Sequence, residues 1–137
     1  MFELDERLRA DTAEVVTLGL SIVLLMNDRT LPWLILVPQA PGLRELYDLN
    51  VSGRAVMMDE IALASRVMAQ VYKPDKLNVA NLGNIVPQLH VHIVARRVGD
   101  RAWPGPVWGA PGGQPYTGEG LEAALSALRA VFRNQGR

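Results

Sequence analysis

The chain has no cysteine, and its 14 lysines and arginines are balanced by 14 aspartates and glutamates. The lack of cysteine excludes disulfide frameworks, thiolate metal sites and thiol nucleophiles, and is typical of a reducing compartment. Zero net charge gives no electrostatic basis for binding a nucleic acid polymer, so an anionic partner must be held locally. No segment reaches the roughly 18 apolar residues of a membrane helix. We therefore predict a cytoplasmic protein without membrane association.

A length of 137 residues suits one domain with a substantial core and is too short for two. The apolar fraction of 49% and the charged fraction of 20% favour a globular fold over disorder. We predict a single domain over residues 1–137, with its core over about residues 15–100. Residues 101–116 are rich in proline and glycine and carry two tryptophans, which predicts an ordered flap before a C-terminal helix over residues 118–134.

Apolar residues recur at helical spacing in two segments, one over about residues 52–72 and one near the C-terminus. The first segment is predicted to begin at Ser52 as N-cap. Its methionine-bearing stripe indicates either packing against a sheet or a dimer surface. A short N-terminal helix is predicted over residues 5–12. Runs rich in valine, leucine and isoleucine predict strands over residues 15–18, 21–26, 33–37, 77–80 and 89–94.

The only two histidines, His90 and His92, lie in the last predicted strand. Because side chains alternate along a strand, Gln88 and both histidines share one face while the apolar residues between them face a core. At a rise of roughly 3.3 Å per residue the imidazoles lie about 6.6 Å apart along the strand, close enough to hold one small anionic group. The uncharged turn before them contains Gly83, which suits a backbone N–H cradle.

These residues alone leave several interpretations open. A neutral imidazole whose Nδ1–H is held by a carbonyl presents Nε2 for attack on phosphorus, which gives a covalent phosphohistidine. A second imidazole could then hold a non-bridging oxygen or assist the leaving group. The pair could equally be two hydrogen-bonded polar side chains, or two ligands of a divalent metal, although the segment offers no third ligand.

The segment from Gln88 to Arg96, with Gly99-Asp100 shortly after it, resembles the signature of the histidine triad (HIT) family, which is His-x-His-x-His flanked by apolar residues. Asn81 and Gly83 are similar to the family's amide-x-Gly turn, and residues 24–38 are similar to its first hairpin. The resemblance implies an α+β HIT-like fold, with a five-stranded antiparallel sheet, one long helix and a C-terminal helix. It also implies a homodimer.

The resemblance further implies a nucleotide hydrolase or transferase that needs no cofactor and no metal. Its substrate would be a nucleoside phosphoramidate, a phosphoanhydride or a dinucleoside polyphosphate. His90 falls on the nucleophilic position, and His92 falls on the last triad position, beside the phosphate and the leaving group. Asn81 matches the amide that binds the α-phosphate, and Asn27 or Asp28 lies where the family holds the ribose.

This chain departs from the family pattern at three places. Gln88 replaces the first triad histidine, so an amide would take over its orienting role. Trp33 occupies the approximate place of a further histidine. The turn between Gly83 and Gln88 is shorter than usual and lacks the family's phosphate donors, which leaves Trp103 or Trp108 of the flap as the predicted cover for a base. A nucleotide-binding protein with weakened catalysis is therefore the alternative prediction.

Overall fold

Five strands form one antiparallel sheet in the order β1-β2-β3-β5-β4. The computed structural model describes residues 1–135. Its elements follow the chain as α1 (Glu6–Asp11), β1 (Thr12–Thr17), β2 (Ser21–Met26), β3 (Trp33–Pro38), a 3₁₀ turn (Leu46–Asp48), α2 (Val51–Tyr72), β4 (Lys76–Asn81), β5 (Val91–Arg96) and α3 (Gly118–Gln135). The predicted α+β architecture is confirmed. None of the helices in this part of the chain has the length and apolar character needed to cross a bilayer.

Two predicted boundaries are wrong for local reasons. Helix α2 is capped by Asn50, whose Oδ1 accepts from the backbone N–H of Gly53 at 2.8 Å, whereas the Ser52 hydroxyl donates to that same oxygen. An asparagine two residues earlier therefore takes the capping position. Strand β5 begins at Val91 because the N–H of Leu89 donates to the carbonyl of Leu43, which lies outside the sheet, at 3.0 Å.

The sheet is buried on both faces, and all six residues of β3 are buried. Helices α2 and α3 cover one face, so the predicted stripe on α2 packs against the sheet. The opposite face carries a second apolar cluster, which includes Leu8 of α1, Trp33 and Val107 of the flap. Because Leu89, Val91 and Ile93 belong to the first cluster, the pleat turns both histidines to the second face.

The flap of residues 101–116 contains no helix or strand and is tied to the turn between β2 and β3. Arg101 donates through Nη2 to Asp28 Oδ2 at 2.6 Å and through Nε to the Thr30 hydroxyl at 2.7 Å. The backbone N–H of Tyr116 donates to Asn27 Oδ1 at 2.9 Å. These polar contacts hold the flap over the second sheet face, where it encloses the histidines.

Arg96 at the end of β5 is 1% exposed and links the flap to the sheet. Its guanidinium donates to both carboxylate oxygens of Asp100, at 2.8 and 2.9 Å, and to Asn78 Oδ1 of β4 at 2.8 Å. The ring of Trp103 lies 5.6 Å from the guanidinium carbon. Hydrogen bonds from Arg96 hold the pKa of Asp100 well below its usual 3.8.

Replacing Arg96 should therefore destabilise the fold strongly. We expect Arg96→Ala to lower the free energy of unfolding by about 3 to 5 kcal/mol, because it leaves the Asp100 carboxylate buried without its partner. Urea denaturation followed by tryptophan fluorescence measures this. Arg66→Ala, on an exposed position of α2, is the control and should change stability by less than about 0.5 kcal/mol. A loss below about 1 kcal/mol at Arg96 would contradict the assignment.

The same pair should make stability depend on pH in the acidic range. A carboxyl with a depressed folded pKa stabilises the protein above its unfolded pKa of about 3.9 and loses that contribution as pH falls further. Asp100→Asn should consequently show a shallower loss of stability between pH 5 and pH 2 than the parent protein.

Candidate active site

A cavity of about 420 Å³ lies on the sheet face opposite α2 and α3. Strands β2, β3 and β5 supply its floor, which includes His92, with His90 just ahead of β5. Helix α1, the loop of residues 82–86 and the flap residues 107–110 supply its walls. The cavity is mainly apolar around the two imidazoles, so polar contacts inside it are little screened by water.

The main chain orients His90. Its Nδ1 lies 2.6 Å from the carbonyl oxygen of Gln88, and the residue is 5% exposed. A carbonyl oxygen can only accept, so Nδ1 carries the hydrogen and donates it. The lone pair of the neutral ring is then on Nε2, on the far side of the ring from this bond.

Trp33 fixes the other imidazole. The indole Nε1–H of Trp33 donates to Nδ1 of His92 at 3.0 Å in a buried contact. Because an indole nitrogen only donates, Nδ1 of His92 is unprotonated and the hydrogen of the neutral ring is on Nε2. Burial, and then the neighbouring His90, lower the pKa of His92 from 6.5 to about 4. His92 is therefore a neutral hydrogen-bond donor at pH 7.

The aromatic rings of the site are in contact with one another. The imidazoles of His90 and His92 meet edge to face with centroids 4.9 Å apart. Trp108 of the flap packs 5.4 Å from His92 and 6.1 Å from Trp33. Its indole nitrogen is buried and has no hydrogen-bond partner within residues 1–135. The structure thus brings one of the two flap tryptophans into the cavity wall.

The side-chain amide of Gln88 bonds to the N-terminal segment and to neither histidine. Its Nε2 donates to the carbonyl of Glu3 at 2.8 Å, and its Oε1 accepts from the N–H of Asp5 at 2.9 Å. The carbonyl of Gln88, and not its amide, contacts His90. The amide instead fastens the N-terminal segment at the residue that caps α1.

The remaining predicted site residues are distributed around the cavity. Gly83 lines it, whereas Asn81 is exposed and lines a smaller neighbouring cleft with Arg44. Asn27 and Asp28 do not line the cavity and instead bind the flap. Burial raises the pKa of Asp28, but hydrogen bonds from Thr30 and others outweigh it and the net shift is downward.

Sequence reasoning missed the contributions of α1 and Arg101. Arg7, Leu8 and Asp11 line the cavity from α1, and Arg101 lines it from the flap. Helical spacing could have marked Leu8 as a buried residue. The side-chain partners of Arg101, Thr30 and Asp28, lie more than 70 residues away, so no local pattern identifies it.

The donor set for a metal is small. Both Nδ1 atoms of the histidine pair are already engaged, which leaves one nitrogen on each ring. Over residues 1–135, no group of three or more histidine, cysteine, aspartate or glutamate side chains is placed to share a metal ion. The structure therefore supplies no third side-chain ligand of these types for the predicted metal alternative.

Comparison with known proteins agrees with this architecture. The HIT domain profile matches residues 7–99. A histidine triad protein of Bradyrhizobium japonicum has 46% identity and a TM-score of 0.93, covering 96% of this chain and 98% of its own. One of Marinobacter aquaeolei has 45% identity and a TM-score of 0.95, covering 98% of each chain. One of Sinorhizobium meliloti has 42% identity and a TM-score of 0.92, covering 95% and 96%.

The five-stranded sheet and the imidazole pair at its centre define an α+β protein of the histidine triad type. With the domain match and these solved structures, the chain belongs to the HIT family. Curated protein sequences contain no match to it. The resemblance drawn from the residues around His90 is confirmed.

The bond between Trp33 and His92 can be tested by removing its donor. We expect His92 to titrate near pH 4 in the parent protein. In Trp33→Phe its pKa should rise, because Nδ1 is then free to accept a proton, but it should stay below 6.5, because burial and His90 still disfavour the charged ring. Long-range ¹H–¹⁵N NMR of the histidine side chains reports both the tautomer and the pKa. Trp108→Phe is the control, since that ring touches His92 without bonding to Nδ1, and should shift the pKa less. A parent tautomer protonated on Nδ1 would refute the assignment.

Proposed function

We propose that the protein is a nucleotide hydrolase or nucleotidyltransferase that works through a covalent nucleotidyl-histidine at His90. The hydrogen bond between Nδ1 of His90 and the Gln88 carbonyl is the observation that supports this best. It holds the ring in the tautomer whose Nε2 lone pair is free, inside a cavity large enough for part of a nucleotide. No metal or cofactor is required by this scheme.

In the first step the Nε2 lone pair of His90 forms a bond to the α-phosphorus. The bond from phosphorus to the leaving group breaks, and the leaving group takes the electron pair. The Gln88 carbonyl stabilises the positive charge that develops on the ring, since the donor at Nδ1 becomes more acidic. In the second step the oxygen of water, or of another acceptor, bonds to phosphorus and the N–P bond breaks. Its electron pair returns to Nε2, and the proton that the acceptor loses leaves with the product and passes to solvent.

Two further groups can stabilise the negative charge on the phosphoryl oxygens. His92 offers an Nε2–H, since Trp33 occupies its other nitrogen. The loop before the histidines offers main-chain N–H groups at Gly83 and Asn84, which form no hydrogen bond within the described residues. Preorganised donors in an apolar cavity stabilise such charge more than donors in water do.

The other predicted ligands take more limited roles in this proposal. Asn81 remains a proposed phosphate ligand for a substrate long enough to pass residues 82–84 into the neighbouring cleft. Asn27 and Asp28 support the site through the flap, because their side-chain oxygens are already bonded to it. Trp108 is the proposed contact for the nucleoside, since it forms part of the apolar wall.

The covalent intermediate can be detected directly. We expect intact-protein mass spectrometry, after rapid acid-free quenching with a panel of nucleotide donors, to show one nucleotidyl group per chain. His90→Asn should abolish both the adduct and turnover, with a loss of at least about 10³-fold, because the nucleophile is gone. His92→Asn should slow adduct formation without abolishing it.

A nucleotide-binding protein with weakened catalysis is the competing function. It would bind nucleoside monophosphates with equal affinity in the parent and in His90→Asn, and would give no adduct and no turnover with any donor. That result would end the hydrolase proposal while keeping the cavity as a binding site.

Gln88 has a separate role in this scheme. We propose that its side chain positions α1, which lines the cavity with Arg7 and Leu8, rather than positioning the nucleophile. An amide suits this task because it donates to one peptide group and accepts from another. A glutamate at this position has the same shape but can only accept, so it keeps the bond from the Asp5 N–H and loses the bond to the Glu3 carbonyl.

Gln88→Glu should therefore affect binding more than chemistry. We expect KM to rise by about tenfold with kcat changed by less than about twofold, since the main-chain carbonyl of residue 88 still holds His90. Hydrogen exchange of residues 3–11 should speed up in the same variant. Asp5→Pro removes the main-chain N–H that donates to Gln88 Oε1. Asp5→Ala loses the same side chain but keeps that N–H, so it is the control. A fall in kcat at constant KM would show that the amide acts on the nucleophile.

A homodimer in the cytoplasm completes the proposal. Strand β4 is at the edge of the sheet, and Val79 on it is 48% exposed. Pairing of two β4 edges would satisfy the free main-chain groups and cover this valine.

A further inference from the structure

The hydrogen bond from Trp33 restricts what His92 can do in a reaction. Protonation of His92 would place a hydrogen on Nδ1, where the indole N–H of Trp33 already points at 3.0 Å. Two donors would then face each other in a contact that excludes water, since Trp33 is 8% exposed and His92 is 6% exposed. The ring is thus confined to one proton, carried on Nε2.

A ring with one proton can donate a hydrogen bond but cannot act as a general acid. If Nε2 of His92 gave up its hydrogen to a leaving group, an imidazolate anion would remain in an apolar cavity. The neighbours of His92 are His90 just ahead of β5, Ile35 and Trp33 on β3, Ala80 on β4, and Trp108 on the flap. None of these can return a proton to Nδ1.

The other ionisable groups that face the cavity do not supply this proton either. Arg101 donates to Asp28, Thr30 and two main-chain carbonyls of the flap, and its guanidinium does not deprotonate. Arg7 has a guanidinium, which keeps its protons in proteins. Asp11 is an exposed side chain at the rim, and an ionised carboxylate accepts hydrogen bonds without donating any.

Substrates differ in whether their leaving group needs a proton. A nucleoside monophosphate expelled from a phosphoanhydride departs as a stable anion, whereas an amine or an alkoxide must be protonated as its bond to phosphorus breaks. A positioned general acid accelerates such a step by about 10²- to 10⁴-fold. A site without one therefore favours leaving groups that depart as anions.

We propose, on the basis of the function above, that the protein is selective for nucleoside phosphoanhydrides and acts poorly on nucleoside phosphoramidates and alkyl phosphodiesters. Trp33 is the residue that sets this selectivity, through Nδ1 of His92. In the favoured reaction Nε2 of His90 bonds to the α-phosphorus and the bridging P–O bond breaks. The leaving phosphate keeps the electron pair, and the His92 Nε2–H donates a hydrogen bond without transferring its proton.

The test compares substrates that carry the same nucleotidyl group. The first pair is a dinucleoside diphosphate, whose leaving group is a nucleoside monophosphate dianion, and the corresponding nucleoside 5′-phosphoramidate. The second pair is the p-nitrophenyl and phenyl esters of the nucleoside monophosphate, which have a similar shape and differ in the acidity of the leaving phenol. We expect kcat/KM for the anhydride to exceed that for the phosphoramidate by at least about 100-fold, and the esters to show a steep dependence on leaving-group acidity.

Variants then assign the effect to Trp33. Trp33→His replaces the donor-only indole with an imidazole that can pass a proton to Nδ1 of His92, so the anhydride preference should shrink by about tenfold. Trp33→Phe frees Nδ1 and should shift the preference in the same direction at mildly acidic pH. Trp108→Phe touches the same ring without bonding to Nδ1, so it should weaken reaction with both substrates and keep their ratio.

The possible outcomes distinguish failure of the selectivity proposal from failure of the proposed nucleotidyl-histidine chemistry. Comparable rates for the parent protein on the anhydride and on the phosphoramidate, with the adduct on His90 in both cases, would overturn the selectivity and leave the nucleotidyl-histidine chemistry intact. A large preference that survives in both Trp33 variants would overturn the role of Trp33. Absence of any adduct across all four substrates would overturn both proposals together. The wild-type series needs no variant, so it stands even if the Trp33 replacements fold poorly.

Discussion

The antiparallel pairing of β3 with β5 is the constraint on which the site depends. Its register places Trp33 opposite Val94 and Ile35 opposite His92. Trp33 and His92 are therefore diagonal neighbours on one face, at a separation that a long aromatic side chain can span. A slip of one residue would turn the imidazoles to the face covered by α2 and α3 and break the bond between the indole and Nδ1. Burial of both sheet faces strongly disfavours such a slip.

Much of the fold follows from patterns that are local in the sequence. The alternation of apolar and polar residues around His90 and His92 predicts which side chains face the core. The apolar stripe on α2 likewise predicts which face of that helix packs on the sheet. Both predictions succeed because the repeats of strands and helices span only a few neighbouring residues. The direction of the Gln88 side chain does not follow in this way. Its partners at Glu3 and Asp5 are 85 and 83 residues away, and nothing near Gln88 encodes them.

The same distinction between local patterns and distant partners applies to the contacts between the β2–β3 turn and the flap, which no sequence motif marks. The turn between β2 and β3 is by itself enough to explain why positions 27 and 28 carry the polar residues Asn27 and Asp28. The side-chain oxygens of Asn27 and Asp28 hold the flap only because the tertiary structure brings Arg101 and Tyr116 next to them. A resemblance to a family transfers positions, but it does not transfer the partners that a divergent loop provides. The amide at position 88 acquires its role from partners in the N-terminal segment, and the indole at position 33 acquires its role from His92 across the sheet.

These two positions also share a chemical property. Each stands where the resemblance to the family leads us to expect a histidine, and each carries a side chain that does not titrate in the physiological range. The cavity is left with two imidazoles, of which His92 has one nitrogen committed to a donor and His90 has one committed to a carbonyl. Each ring thus presents only its Nε2 to the cavity. This nitrogen carries a lone pair on His90 and a hydrogen on His92. In the proposed reaction such a pair would attack phosphorus and stabilise the oxygens around it, yet it has no route for carrying a proton through the site, so the leaving group would depart without one.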